Sequence, residues 1–311
     1  MSVARRPSSF TIYLLPLLLL VACAGASPDA SPNSAADATS DGPSAGQKPR
    51  GDGELDSLDT LRERLKKPSD KKDLDLAAKG WGAELGRVLG DAEGLTGVEK
   101  LDVSDNDLGP DGARGLLASS HLGSLSELDL GGNAIGDDGA RALASGRLEH
   151  LTTLNLSGNG IGPEGAKALS QGKGYPALSS LDLSMNPVGA DGVKALGSAG
   201  LPELSALFLL GSEIGAEGAR ALAKGGFKLK VLALSGNSIG DDGAKALAGS
   251  AKLSSLSTLD LSANGIGDAG AKALAQSPYL KDLSKLEMFS NDLGPSGKAA
   301  LSKRFGNAVK L

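Results

Sequence analysis

The feature that most restricts this chain is a period. Asn106, Asn133, Asn159 and Asn186 recur every 26 or 27 residues. Ser212 takes the next position, and Asn237, Asn264 and Asn291 resume the series. An earlier, degenerate copy has Lys79 at the Asn position and Trp81 at the apolar position after it. Each unit reads approximately LxxLxLxxNxIGxxGAxALA, as Leu125 to Leu143 shows in full. One such unit cannot bury its apolar face alone, so nine in phase must stack into a solenoid.

Every position in the unit has a physical reason. Leu-x-Leu, as in Leu154 and Leu156, is a period-two strand with both leucines inward. An Asn side chain both donates and accepts, so it can satisfy backbone groups where the chain leaves the strand. The apolar residue after it plugs the core beneath the turn. Glycines such as Gly162 and Gly165 suit a tight turn or close packing. Acidic residues then open a helix and basic ones follow, as the helix dipole favours.

Composition narrows the function classes. The 311 residues include 45 glycines but only 3% aromatics, and no collagen-like period accompanies the glycine. A net charge of −5 argues against a nucleic-acid binder, which carries a basic face. One cysteine and two histidines exclude a disulfide framework and a multi-Cys zinc site.

The repeat, over residues 74–311, resembles the leucine-rich-repeat family in its strand-plus-helix, ribonuclease-inhibitor-like form. The resemblance implies a right-handed α/β horseshoe with a concave parallel sheet and convex helices. Strands about 4.8 Å apart beside helices about 8–10 Å apart give the same curvature. Val309 to Leu311 is expected to add a short closing strand.

The N-terminus reads as an export address. Arg5 and Arg6 precede an apolar run, Phe10 to Ala22, too short for a membrane span of about 20 residues and suited to a signal peptide. Leu20-Val21-Ala22-Cys23 resembles a bacterial lipobox, which implies cleavage after residue 22, lipidation of Cys23 and a membrane anchor. Ala24, rather than Asp, implies the outer membrane. Ordinary secretion remains an open alternative, because Ala24-Gly25-Ala26 also fits a cleavage site. Residues 23–53, rich in Ala, Ser, Pro, Asp and Gly, read as a disordered tether with a span of roughly 30 Å. Leu55, Leu58, Leu61 and Leu65 recur at helical spacing before Pro68, so residues 54–73 read as a helical cap on residues 74–311.

Motifs that resemble chemistry dissolve into the repeat. Gly160-x-Gly162-x-x-Gly165 and Gly265-x-Gly267-x-x-Gly270 match a dinucleotide fingerprint, but the last two glycines recur in nearly every unit. Asp105-x-Asp107-x-Gly109 resembles a calcium-loop fragment without the downstream ligands. His121 and His150 occupy different repeat positions. The Ser-rich strands lack the His and acid partners of a serine nucleophile. The sequence therefore predicts no enzyme, no cofactor and no metal site.

The face of the sheet is the expected binding surface. Its central column runs Asp75, Asp102, Asp129, Asn155, Asp182, Phe208, Ala233, Asp260 and Glu287, and six of the nine are acidic. Phe208 and Leu210 interrupt it, Val231 and Ala233 continue the apolar character, and Phe289 is also expected on this face. Ser212 breaks the Asn series in the same unit as Phe208. Apolar clusters on exposed surfaces and aromatic anchors mark interfaces, and a one-signed field attracts basic partners. The expected partner-binding residues are Phe208, Leu210, Val231, Asp182, Asp260, Asp129 and Phe289, and the expected partner is a protein, a basic one fitting the field. A monomeric binding module is expected, with a passive envelope spacer or scaffold subunit as the alternative.

Overall fold

Alternating leucines make each repeat open on a three-residue strand. A computed structural model describes residues 57–68, 70–198 and 200–311. The signal peptide, Cys23, the tether and Leu55 lie outside these residues.

The strands are β1 (Asp73–Asp75), β2 (Lys100–Asp102), β3 (Glu127–Asp129), β4 (Thr153–Asn155), β5 (Ser180–Asp182), β6 (Ala206–Phe208), β7 (Val231–Ala233), β8 (Thr258–Asp260), β9 (Lys285–Glu287) and β10 (Val309–Lys310). They form one sheet in sequence order. Every neighbouring pair is parallel and in register, with leucine beside leucine from Leu74 to Leu286. Val309 continues that buried row beside Leu286, so the expected closing strand is present.

The helices are α1 (Leu58–Arg64), then α2 (Gly82–Gly90), α3 (Gly109–Leu117), α4 (Gly136–Ser145), α5 (Pro163–Gln171), α6 (Gly189–Leu196), α7 (Gly215–Lys224), α8 (Gly240–Ala248), α9 (Asp268–Ala275) and α10 (Pro295–Phe305). From α2 onward each follows its strand. In the unit Leu125 to Leu143, the residues Leu125, Leu128, Leu130, Ile135, Ala140 and Leu143 are all buried. Each buried leucine contributes about 1.5–3 kcal/mol relative to exposure. Helix α1 buries Leu61, and Leu65 behind it. It ends at Arg64, a turn earlier than Pro68 suggests, where the backbone N–H of Leu65 returns to Leu61 O.

The Asn series forms a continuous ladder. Asn133 Nδ2 donates to the carbonyls of Val103, Leu130 and Gly131, at 3.0, 2.9 and 3.1 Å. Its Oδ1 accepts from Asn106 N and Leu108 N at 3.1 and 3.2 Å. One side chain thus ties two repeats together inside a dry core, where an unmade hydrogen bond is costly. Ser212 keeps part of this function: its Oγ donates to Leu183 O and Leu210 O at 3.2 and 3.3 Å. It has no second arm to accept from Asn186 N and Val188 N, and the Val188 N–H turns to Asn186 O, 2.7 Å away. The ladder is therefore half broken between β5 and β6.

The two repeat glycines do different work. Gly136 has φ 60°, a left-handed conformation glycine adopts without strain. At Gly139 a Cβ would lie 2.5 Å from Ile135 Cβ, so the second glycine admits the apolar plug against the helix. Gly162 departs from this scheme, with extended backbone (φ −93°, ψ −167°) at the head of α5. Its N–H and that of Gly165 both donate to Asp137 Oδ1, at 2.8 and 3.0 Å. Asp137 belongs to the first turn of α4, so one repeat caps the helix of the next. Asp241 does the same for α9 through Gly267 N and Gly270 N, both at 2.8 Å. Asp268 accepts from Gly297 N in α10, at 2.8 Å.

Candidate functional site

The outer face of the sheet is built by strand alternation. With the middle residue of each strand inward, its two flanking residues face outward together. The third residues form the expected column: Asp75, Asp102, Asp129, Asn155, Asp182, Phe208, Ala233, Asp260 and Glu287 stand side by side, strand to strand.

Most of the acids in this column also have a local task. Asp75, Asp102, Asp129, Asp182 and Asp260 each accept, through Oδ1, the backbone N–H two residues on, at 2.8–3.0 Å. Asn155 accepts from Ser157 N in the same way, at 2.9 Å. The carboxylate thus closes the turn at the strand end, which explains why the repeat favours Asp or Asn there. The charge remains a surplus on the face. Burial pushes the Asp129 carboxyl above its ordinary value; hydrogen bonds from Gly131 and Asn155 pull the other way, while Asp102 and Asp182 add to the rise. Burial likewise raises Asp182, against the hydrogen bonds from Ser184.

Cations offset part of this field toward the two ends of the sheet. Lys100 pairs with Glu127 at 2.8 Å and Lys285 with Glu287 at 3.1 Å. Among the described residues, Asp182 and Asp260 take part in no ion pair. The helix side is more evenly balanced: Arg114 pairs with Asp111, Arg141 with Asp138, Arg220 with Glu217 and Lys245 with Asp242, each within one helix turn.

The structure gathers four of the expected apolar residues, together with Ala206, into one patch. Phe208 and Ala233 are lateral neighbours, as are Ala206 and Val231. Leu210 follows in the turn after β6, and all five are half-buried. Asp182 flanks Phe208 on one side and Asp260 flanks Ala233 on the other. Asp129 and Phe289 are not brought to this patch. Asn155 and Asp182 stand between Asp129 and Phe208. Phe289, 46% exposed, shares the row of Leu210, but Ser235 and Ser262 separate them.

Met185 is the member that sequence reasoning missed. It is 62% exposed, and its N–H donates to Leu210 O at 2.6 Å. Its Sδ lies 3.0 Å from where a Cβ on Gly211 would stand, so the side chain lies against Gly211, the residue after Leu210, just past the strand ends. Other repeats place Gly, Ala, Asp or Ser at this left-handed position; Met185 has φ 57°. A methionine in a glycine-like position was the available signal.

The remaining chemistry-like motifs are structural. In both glycine fingerprints, the N–H groups a phosphate would need are held by Asp137 or Asp241. A carboxylate from the neighbouring repeat occupies the place of the anion. Asp105 and Asp107 are exposed turn residues in left-handed backbone. His121 Nδ1 meets Thr96 Oγ1 at 2.9 Å, and His150 is exposed. A cleft of about 530 Å³ lies on the helix side between α5 and α6, lined by Lys167, Ser170, Gln171, Lys173 and Ser198. It contains no acid–base pair.

Comparison with known proteins agrees with this architecture. Six segments match the family model described as Leucine Rich repeat: residues 96–117, 121–144, 147–170, 177–197, 227–248 and 252–275. These six segments are leucine-rich repeats. The stretch 198–226, between the fourth and fifth matches, holds Phe208, Leu210 and Ser212. No curated protein matches the sequence. A solved structure of a TLR13–ssRNA13 complex is similar at 20% identity and a TM-score of 0.44, over 76% of this chain and 35% of that one. The chain thus spans about a third of that protein's length.

Proposed function

We propose that this chain is a lipid-anchored, non-catalytic protein-interaction module of the ribonuclease-inhibitor-like type. It engages its partner through the sheet face, with the lipobox cysteine Cys23 holding it to the bacterial outer membrane and residues 23–53 as the tether. One observation carries the binding reading. The acidic column and the glycine-like turn position depart from the repeat at β5–β7 and leave an apolar patch there, and the Asn ladder is half broken at the same place. Loss of a ladder rung weakens the fold, and a local rule broken where a surface is gained is the pattern expected of a functional site. The acidic surround disfavours nucleic-acid phosphates and favours a partner with cationic groups.

The test is capture from envelope extract on the immobilised full chain, in parallel with the double variant Phe208→Glu, Leu210→Glu after both are shown to fold alike. A protein held by the native chain and released by the variant supports the reading. Equal retention moves the site elsewhere, and no capture by either chain favours the passive spacer. The anchor is tested separately: Cys23→Ser should abolish incorporation of labelled palmitate and release the protein from membranes.

A further inference from the structure

The arrangement of charge around the patch specifies the partner more closely than its location does. Asp182, Phe208, Ala233 and Asp260 are consecutive lateral neighbours on β5, β6, β7 and β8. Three strand steps of about 4.8 Å separate the two carboxylates by about 14 Å. An extended chain advances about 3.3 Å per residue and points every second side chain the same way. Four residues therefore span the gap, and residues i, i+2 and i+4 of such a segment face the sheet together. The middle of the three, about 6.6 Å from Asp182, would lie between Phe208 and Ala233, where the small Ala233 side chain leaves a notch beside the larger Phe208 ring, with Val231 below it and Leu210 beyond.

We infer that the sheet face recognises an extended peptide segment crossing strands β5 to β8, with a basic residue at i, an apolar residue at i+2 and a basic residue at i+4. The two cations pair with Asp182 and Asp260, the carboxylates that flank the apolar patch on either side. The apolar residue enters the notch between Phe208 and Ala233. Met185 and Leu210 extend the contact along one flank. This inference rests on the sheet-face reading above and adds the chemistry and spacing of its ligand. A partner with basic residues at i and i+3 turns one cation away from the sheet; at i and i+6 it overshoots by about 5–6 Å.

The probes are fluorescent synthetic peptides carrying Arg-Ser-Leu-Ser-Arg between Gly-Ser flanks, titrated against the full chain by fluorescence polarisation. Companion peptides place the arginines at i,i+3 or i,i+6, replace them with glutamate, or replace the leucine with serine. The i,i+4 peptide should bind at least about tenfold more tightly than each companion, with affinity falling as salt rises. The double variant Asp182→Asn, Asp260→Asn should lose about tenfold for that peptide. It keeps the turn, because Asn155 already closes the same turn with an amide. Asp129→Asn, two strands from Asp182, should leave binding unchanged.

Equal binding of all spacings, or an unaffected double Asn variant, overturns the inference. So does failure of every peptide to bind. The sheet-face reading still stands in each case if extract capture remains sensitive to Phe208→Glu, Leu210→Glu, and falls with it if capture is insensitive. Self-association seen by sedimentation and lost in that variant would make a second copy the occupant, and would also overturn the inference.

Discussion

Replacing Ser212 by Asn should stabilise the protein. In intact rungs, as at Asn186, Oδ1 accepts two N–H groups from the preceding repeat, here Asn159 N and Ile161 N, both at 2.9 Å. Ser212 offers no such acceptor to Asn186 N or Val188 N. The backbone is nonetheless placed as in other rungs, because Ser212 N donates to Asn237 Oδ1 at 2.9 Å. Asn at 212 would give both groups an acceptor. Satisfying the buried Asn186 N–H is worth about 1–3 kcal/mol, and re-aiming Val188 N–H about 0.5 kcal/mol. Ordering the longer side chain costs up to about 1 kcal/mol. The expected net gain is about 1–2 kcal/mol. Urea denaturation should show a higher midpoint, and amide exchange should slow at Asn186 and Val188. The converse change, Asn159→Ser, should cost a similar amount. An unchanged or lower midpoint for Ser212→Asn, or a native Asn186 amide already as protected as Asn159, would refute the reasoning.

Other changes test the remaining contacts. Asp137→Ala strips the cap from α5 in the next repeat and should cost about 1–2 kcal/mol by denaturation, with faster amide exchange at Gly162 and Gly165 rather than within α4. Gly165→Ala should be more damaging than an ordinary helix substitution, since its Cβ would lie 2.4 Å from Asp137 Oδ1 and 2.7 Å from Ile161 Cγ2; a melting temperature equal to the native one would count against that packing. Asp182→Asn should stabilise the protein at pH 7 while weakening partner capture. Its folded-state carboxyl is raised above 3.8 by burial, so the native state binds more protons than the unfolded one in the window just above 3.8. Stability then falls as pH rises through that window. The Asn variant should lose that slope and match the native protein below it; a steeper slope in denaturation at stepped pH would contradict this. Tyr175→Phe removes the 2.8 Å hydrogen bond from a buried hydroxyl to Leu169 O near the end of α5 and should cost about 1 kcal/mol, read from the thermal midpoint.

The sequence made the repeat legible because the backbone requires particular side chains at fixed intervals. The inward leucines, the Asn ladder and the column from Asp75 to Glu287 all follow from one period. Once the strands are in register, the same sheet face sets Asp129 and Phe289 three strands from Phe208 on either side, a separation that appears only when the strands between are counted. Two contacts lay beyond pattern reading. Asp137, Asp241 and Asp268 read as dipole-favouring residues of their own helices, yet their partners sit 25–29 residues onward in the neighbouring repeat. The acidic column suggested charge for binding, whereas its Oδ1 atoms first serve the turns; that role appears only when the backbone N–H groups are placed. Helix α1 ends before Pro68 because Leu65 already supplies the closing contact, a choice that spacing alone does not make.

The half-broken rung between β5 and β6 also has a mechanical meaning. A stacked array fails where neighbour coupling is weakest, so this joint is where the solenoid should first part into two blocks, β1–β5 and β6–β10. A segment anchored at Asp182 and Asp260 would straddle that joint and act as a splint. Its binding energy would be added to the coupling there, and a protein strained from either end while holding its partner would resist fracture at the place where, empty, it yields first.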